Sequence, residues 1–239
     1  MNARIANLRD HALRSRRGPD EERERAWQES LARTEGQPGV LREAHAFAHY
    51  CRTRDLVLHE GELIVGSPSW MAYDPAVKTE PKIFGRSRFA SAWPVPDEVQ
   101  RYFREGLLSP AGNHTTMDYA TILAIGFEGL VERIERRIGR LSPGELDPAD
   151  KRHFLEALHL VARGYVDFCQ RYGQYALELA QETKDAGRAL ELQTIAANCL
   201  RVPAQPPTTF WEACQALWFC FFFLPDAPNN PVPGTYYLR

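Results

Sequence analysis

Apolar residues recur at intervals of three and four along several stretches of the chain, and the stretch with the sharpest start begins at residue 119. Tyr119, Ile122, Leu123, Gly126, Leu130 and Ile134 share that spacing, which predicts a helix with one buried face. The polar turn Asn113-His114-Thr115-Thr116 precedes it. Thr115 and Asp118 stand three apart, as in a capping box with Asp in place of Glu, so the Thr115 hydroxyl is expected to hold an orphan amide at the helix start. Gly126 and Gly129 each weaken a helix relative to alanine, and their presence predicts that another backbone or a ligand comes close there.

The same reading extends along the chain. Residues 1–20 are Arg-rich and end in Gly18 and Pro19, which suits a loosely held arm or a first short helix. A charged surface helix is expected over 20–34, pinned by Trp27 and Leu31, and a second over 40–52 with Leu41, Ala44, Phe47 and Ala48 inward. Glu62-Leu63-Ile64-Val65-Gly66 is a short apolar run closed by glycine and predicts a strand. Residues 67–96 mix five prolines with Trp70, Tyr73, Phe84, Phe89 and Trp93, a long loop expected to wall a pocket or pack on a neighbouring domain. A short helix is expected over 97–105.

Asp147-Pro148 predicts an N-cap followed by proline at the first helical position. The helix beyond it should run to about residue 184, its stripe formed by Phe154, Leu158, Val161, Tyr165, Phe168, Tyr172, Tyr175, Leu179 and Glu182, with a kink at Gly164 or Gly173. A further helix is expected over 188–200, ended by Pro203. Thr209-Phe210-Trp211-Glu212 is a full capping box that opens an apolar helix through Phe223. The chain should therefore be mainly α-helical.

Bulk properties narrow the function classes. With 239 residues, 44% hydrophobic and 25% charged, the chain can bury a core of ordinary size. A net charge of -2 excludes a general nucleic-acid binder, which needs a positive field to replace phosphate counterions. The apolar run 216–224 is about half the length of a bilayer-spanning helix, so no membrane partner is expected. Cysteines at 51, 169, 199, 214 and 220 are odd in number and form no CxxC pair, which points away from a disulfide framework or a zinc site and fits a reduced, cytoplasmic protein. No apolar core follows the N-terminal arginines as a secretory signal would require.

His114 is the candidate site residue. A histidine held at a helix N-terminus has its neutral form favoured by the helix dipole and can donate or accept at a substrate oxygen. The reading that stays open beside it is a capping or otherwise satisfied polar histidine.

Four motifs, taken in order, carry a resemblance: Glu62-Leu63-Ile64-Val65-Gly66; Asn113 to Tyr119 with Leu123, Gly126 and Gly129; Glu191-Leu192; and Pro206-Pro207-Thr208-Thr209-Phe210-Trp211-Glu212-Ala213-Cys214-Gln215 with Trp218-Phe219. From about residue 40 to 223 the chain resembles the N-terminal part of the glycyl radical enzymes, the pyruvate formate-lyase-like group. The resemblance implies the helical portion of a ten-stranded α/β barrel, with 1–36 an Arg-rich arm and surface helix, 37–224 the family portion and 225–239 a Pro-rich tail. It implies radical chemistry by a formate acetyltransferase, dehydratase or lyase on a small polar metabolite in anaerobic cytoplasm. A separate radical-SAM activating enzyme would install the glycyl radical, and a homodimer is compatible with the family. His114 aligns with a position that lines or approaches the substrate pocket in some members.

The sequence departs from the family where the radical is handled. None of the five cysteines has the context of the active cysteine. Val161-Ala162-Arg163-Gly164-Tyr165 is a scrambled form of the radical-glycine motif and lies inside a helical pattern. Asp118 and Glu212 are expected to cap helices, and Cys214 and Cys220 to be small core residues. The chain is thus expected to be a fragment or split part, inactive alone, without a cofactor of its own and paired with a C-terminal glycyl radical half or full-length homologue. The alternative is a non-catalytic helical module that binds an activase or such a homologue.

Overall fold

The computed structural model describes residues 2–17, 21–67, 71–76 and 118–222. The aromatic and proline-rich stretch beyond residue 76, the short helix at 97–105, His114, Thr115 and the tail lie outside them. The described elements are α1 (Ala3–Arg14), β1 (Ser15–Arg17), α2 (Glu21–Arg33), α3 (Gly39–Thr53), β2 (Met71–Tyr73), α4 (Tyr119–Gly139), α5 (Pro148–Glu182), α6 (Ala186–Arg201) and α7 (Phe210–Phe222). β1 and β2 form a two-stranded antiparallel ribbon, with Ser15 opposite Tyr73.

α5 is the spine, a single helix of 35 residues. α3, α4 and α6 all pack against it, and α2 covers α3. Small residues bring the backbones close. A Cβ on Gly164 would stand 3.1 Å from Ala48 Cα in α3, and one on Gly173 would stand 2.6 Å from Leu200 Cγ in α6. Between these crossings Phe168 and Tyr172 are fully buried with Cys51, Ile195 and Phe219.

The stripe expected on α5 is buried only in its middle. Phe154 is 54% exposed and Leu158 39%, whereas Tyr165, Phe168 and Tyr172 are buried. The nine stripe positions advance seven residues every two turns, and such a pattern drifts by about 20° per heptad around a straight helix. Over the four heptads from Phe154 to Glu182 that amounts to about 80°, so the ends of the stripe rotate away from the packed face.

Neither Gly164 nor Gly173 kinks α5. The break falls in α4, at Gly126, with φ 63° and ψ -178°. There the 202–205 turn intrudes: the Phe127 amide donates to Pro203 O at 2.8 Å and the Glu128 amide to Ala204 O at 3.0 Å. A Cβ on Gly126 would lie 2.3 Å from Ala204 O, so the close backbone expected at this glycine is present. Glycine alone tolerates both the contact and this φ/ψ.

One expected cap is made and one is not. α4 starts at Tyr119, and its N-cap is Asp118, whose carboxylate accepts the Thr121 amide at 3.1 Å. Asp147 precedes Pro148 as foreseen but sits in the left-handed region at φ 48° and makes no side-chain cap bond. By contrast the box opening α7 is complete, with the Glu212 amide on Thr209 Oγ1 and the Thr209 amide on Glu212 Oε2, both 3.1 Å.

Candidate functional site

The motif Glu62 to Gly66 does not form a strand; among the described residues the only bridge near it joins Val57 and Ser67. Its backbone groups are taken by side chains instead. Gln215 accepts from the Val65 amide at 2.9 Å and donates to Val65 O at 2.8 Å. Trp211 Nε1 donates to Leu63 O at 2.8 Å and Trp218 Nε1 to Gly66 O at 3.1 Å. Arg188 Nη1 donates to Glu62 O at 2.9 Å. A segment whose polar groups are met this way has no need of a neighbouring strand.

The bonds come from two directions. One face of α7 presents Trp211, Gln215 and Trp218 at spacings of four and three, the helical repeat. From the first turn of α6 comes Arg188, buried at 8% exposure and paired with Glu191 at 2.9 Å. Arg4 of α1 reaches the same Glu191. From α5 the Tyr172 hydroxyl lies 3.3 Å from Val57 O and 3.4 Å from Ser67 O. Three of the four motifs, distant in sequence, thus meet at residues 57–67, and the fourth, at Gly126, is joined to the turn just before α7.

Electrostatics at this junction favour neutral or internally paired groups. Burial raises the Glu62 carboxyl above its ordinary range, against bonds from the His59 amide and the Ser67 hydroxyl. The bonds from Arg4 and Arg188 lower Glu191. Next to it a groove of about 620 Å³ is lined by Arg4, His11, His59, Asp185, Arg188 and Glu191. A second, of about 990 Å³, runs past Arg52, Asp167, Arg171, Gln174 and Tyr175. Arg52 is bound to Asp167 at 2.6 Å, and Arg171 donates to the carbonyls of Cys51 and Arg54 at 2.8 and 2.7 Å. Among the described residues no group of three or more His, Cys, Asp or Glu could hold a metal, and no helix is long and apolar enough to cross a membrane.

His114, the residue singled out in the sequence, lies outside the described residues. Asp118 and Glu212 cap helices, as expected. Cys220 is buried and Cys214 half-buried. Burial pushes the thiols of Cys51, Cys169 and Cys199 well up and that of Cys220 to about 12, so these four are core thiols rather than thiolate nucleophiles. Gly164 sits in mid-helix against Ala48, a helix crossing and not a radical-bearing loop. Sequence reasoning missed Arg188 and Arg54. The latter is 2% exposed, donates to the Tyr50 hydroxyl at 2.7 Å and lies over the rings of Tyr50 and Phe168. An arginine just after a helix carries no signal that it will turn inward.

This arrangement is a packing joint with a polar lining. The structure described for 1,2-propanediol dehydration in Roseburia inulinivorans superposes on the chain with a TM-score of 0.76 at 28% identity, over 95% of this chain and 34% of that one. That neighbour and others are glycyl radical enzymes, of the ten-stranded barrel fold. The family model described as pyruvate formate lyase-like matches residues 95–230, more than half of the chain. The chain belongs to that family, the glycyl radical enzymes, and corresponds to their N-terminal portion. Isethionate sulfite-lyase of Desulfovibrio desulfuricans is 29% identical over 85% of this chain and 31% of the lyase. (2S)-3-Sulfopropanediol dehydratase of Klebsiella oxytoca is 31% identical over 50% of this chain and 15% of the dehydratase. The chain spans about a third or less of the length of these relatives.

Proposed function

We propose that this chain is the helical scaffold portion of a cytoplasmic glycyl radical lyase or dehydratase that acts on a small polar metabolite under anaerobic conditions. The observation that carries the reading is the joint itself: Trp211, Gln215, Trp218 and Arg188, from the motifs on which the family resemblance rests and from beside them, are spent on holding 57–67 between α6 and α7, and the buried cysteines of the core are unsuited to catalysis. In this reading the active cysteine and radical glycine are carried outside these 239 residues, and a radical-SAM activase installs the radical. The radical supplies hydrogen-atom abstraction, which ordinary side chains cannot perform. The residues of this chain hold and orient. His114, ahead of α4, is proposed to bond a substrate hydroxyl or carboxylate.

The test is to produce the chain anaerobically with an activase and with the remaining two thirds of a relative, fused or separate. Electron paramagnetic resonance should then show a glycyl radical in the assembled protein. If the intact relative acquires the signal under the same activase while the assembly neither forms nor acquires it, the scaffold reading fails.

A further inference from the structure

α1 contributes no buried residue to the core. Ile5 and Leu13 are about half exposed, so apolar burial does little to hold the helix down. Among the described residues the attachments that hold it are mainly polar: the Arg4–Glu191 pair, the Arg14 guanidinium on Pro75 O at 2.9 Å, the Asp74 amide on Arg14 O at 3.1 Å, the Tyr73 hydroxyl 3.4 Å from Asp10 Oδ2, the β1–β2 ribbon, and two ring contacts of His11. In the first the His11 and His59 imidazoles lie with centroids 4.0 Å apart, tilted by 45°, and in the second His11 stacks on Tyr73 at 5.1 Å. Two neutral imidazoles can pack in this way. Two imidazoliums at that distance repel, and even one must shed water to stay.

We infer that α1 and its ribbon strand form a latch over residues 57–62 that is released by protonation of the His11–His59 pair. Among the described residues the groups around the pair come from several elements, beginning with β1, whose Ser15 hydroxyl lies 3.4 Å from His11 Nδ1. α1 contributes Arg4, Asp10 and Arg14; the 57–62 turn contributes Glu60 and Glu62; β2 brings Tyr73; the start of α6 brings Asp185, Arg188 and Glu191. Burial is the main influence on both rings and lowers both imidazoles below their ordinary value; for His11 the neighbouring His59 adds to it, and Glu62 and Asp10 oppose it. A histidine whose folded value is depressed contributes stability that is fully present above about pH 6.5 and is lost as pH falls through the folded value, because the released state binds the proton more readily. Glu191 stays ionised through this range, since the bonds from Arg4 and Arg188 lower its carboxyl.

Hydrogen exchange of the full chain between about pH 7.5 and 5.5, corrected for the intrinsic pH dependence of exchange, tests the latch. Protection of amides 3–17 should fall on acidification, by up to about tenfold per pH unit for each histidine that takes up a proton on release. Amides of α5 and α6 should stay protected. His11→Gln and His59→Gln should each reduce the slope, and the double variant should abolish it. A Gln variant with α1 unprotected at every pH leaves the decision to the wild-type profile and to the imidazole titrations followed by NMR. A wild-type profile without slope, an undiminished slope in a double variant that retains its neutral-pH protection, loss of α5 protection in step with α1, or two imidazoles titrating at or above about 6.5 would overturn the inference.

Discussion

The crossings of α5 with α3 and α6 and the joint of 57–67 with α7 close one core by different physics. At the crossings, side chains on regular helices interlock: Gly164 admits Ala48, Gly173 admits Leu200, and Phe168 and Tyr172 fill the space between. At the joint, an irregular segment is held by side chains that replace the hydrogen bonds of a sheet, as with Gln215 on both polar groups of Val65. The first kind of contact can yield where the nearest neighbour is a side chain, such as Leu200 beside Gly173, while the Ala48 backbone beside Gly164 leaves less room. The second does not at Val65, where both bonds satisfy buried groups and a lost partner leaves the desolvation cost unopposed; the bonds to Glu62, Leu63 and Gly66 are part-buried.

The contrast can be pressed at chosen positions. Gly126→Ala should have the largest effect, about 4 kcal/mol measured by urea unfolding, because it combines a φ/ψ that other residues resist with a methyl group driven into the Ala204 carbonyl. A loss below about 1 kcal/mol would mean that the 202–205 turn yields as easily as a side chain.

Phe168→Ala and Phe154→Ala test the crossing region from within one stripe. The first should cost about 4 kcal/mol and the second less than about 0.5 kcal/mol, since Phe168 is fully buried and Phe154 54% exposed. Equal losses would show that the stripe is buried along its whole length and that heptad drift is not the reason for the difference. Gln215→Leu preserves volume while leaving the Val65 amide and carbonyl unpaired, and should cost about 3 kcal/mol with faster exchange at the Val65 amide. A neutral result would place the joint with the crossings as ordinary apolar packing.

Legibility followed the same division. Helices α2, α3, α5, α6 and α7 were readable from apolar spacing and from local signals such as the Thr209–Glu212 box, all of which operate within a few residues. The close approach at Gly126 was readable too, since glycine weakens a helix and is kept inside one where a methyl group would collide with a neighbour. The supposed strand at 62–66 was not. Its run of apolar residues is compatible with either outcome, and the decision rests with Gln215, 150 positions from Val65. His114, the one residue singled out for substrate, lies outside the described residues; of the groove residues Arg188, Glu191, His11 and His59, only Glu191 stood in a motif read from the sequence.

By itself, then, the sequence determined the helical content, most helix boundaries and the family, because these depend on short-range periodicity and on motifs in linear order. The tertiary structure alone decided that α5 buries only the middle of its stripe, that the break lies in α4, and that segment 57–67 is held by side chains. Each of those outcomes turns on which distant group arrives to satisfy a backbone bond or cover a face, and a pattern confined to neighbouring residues holds no record of it.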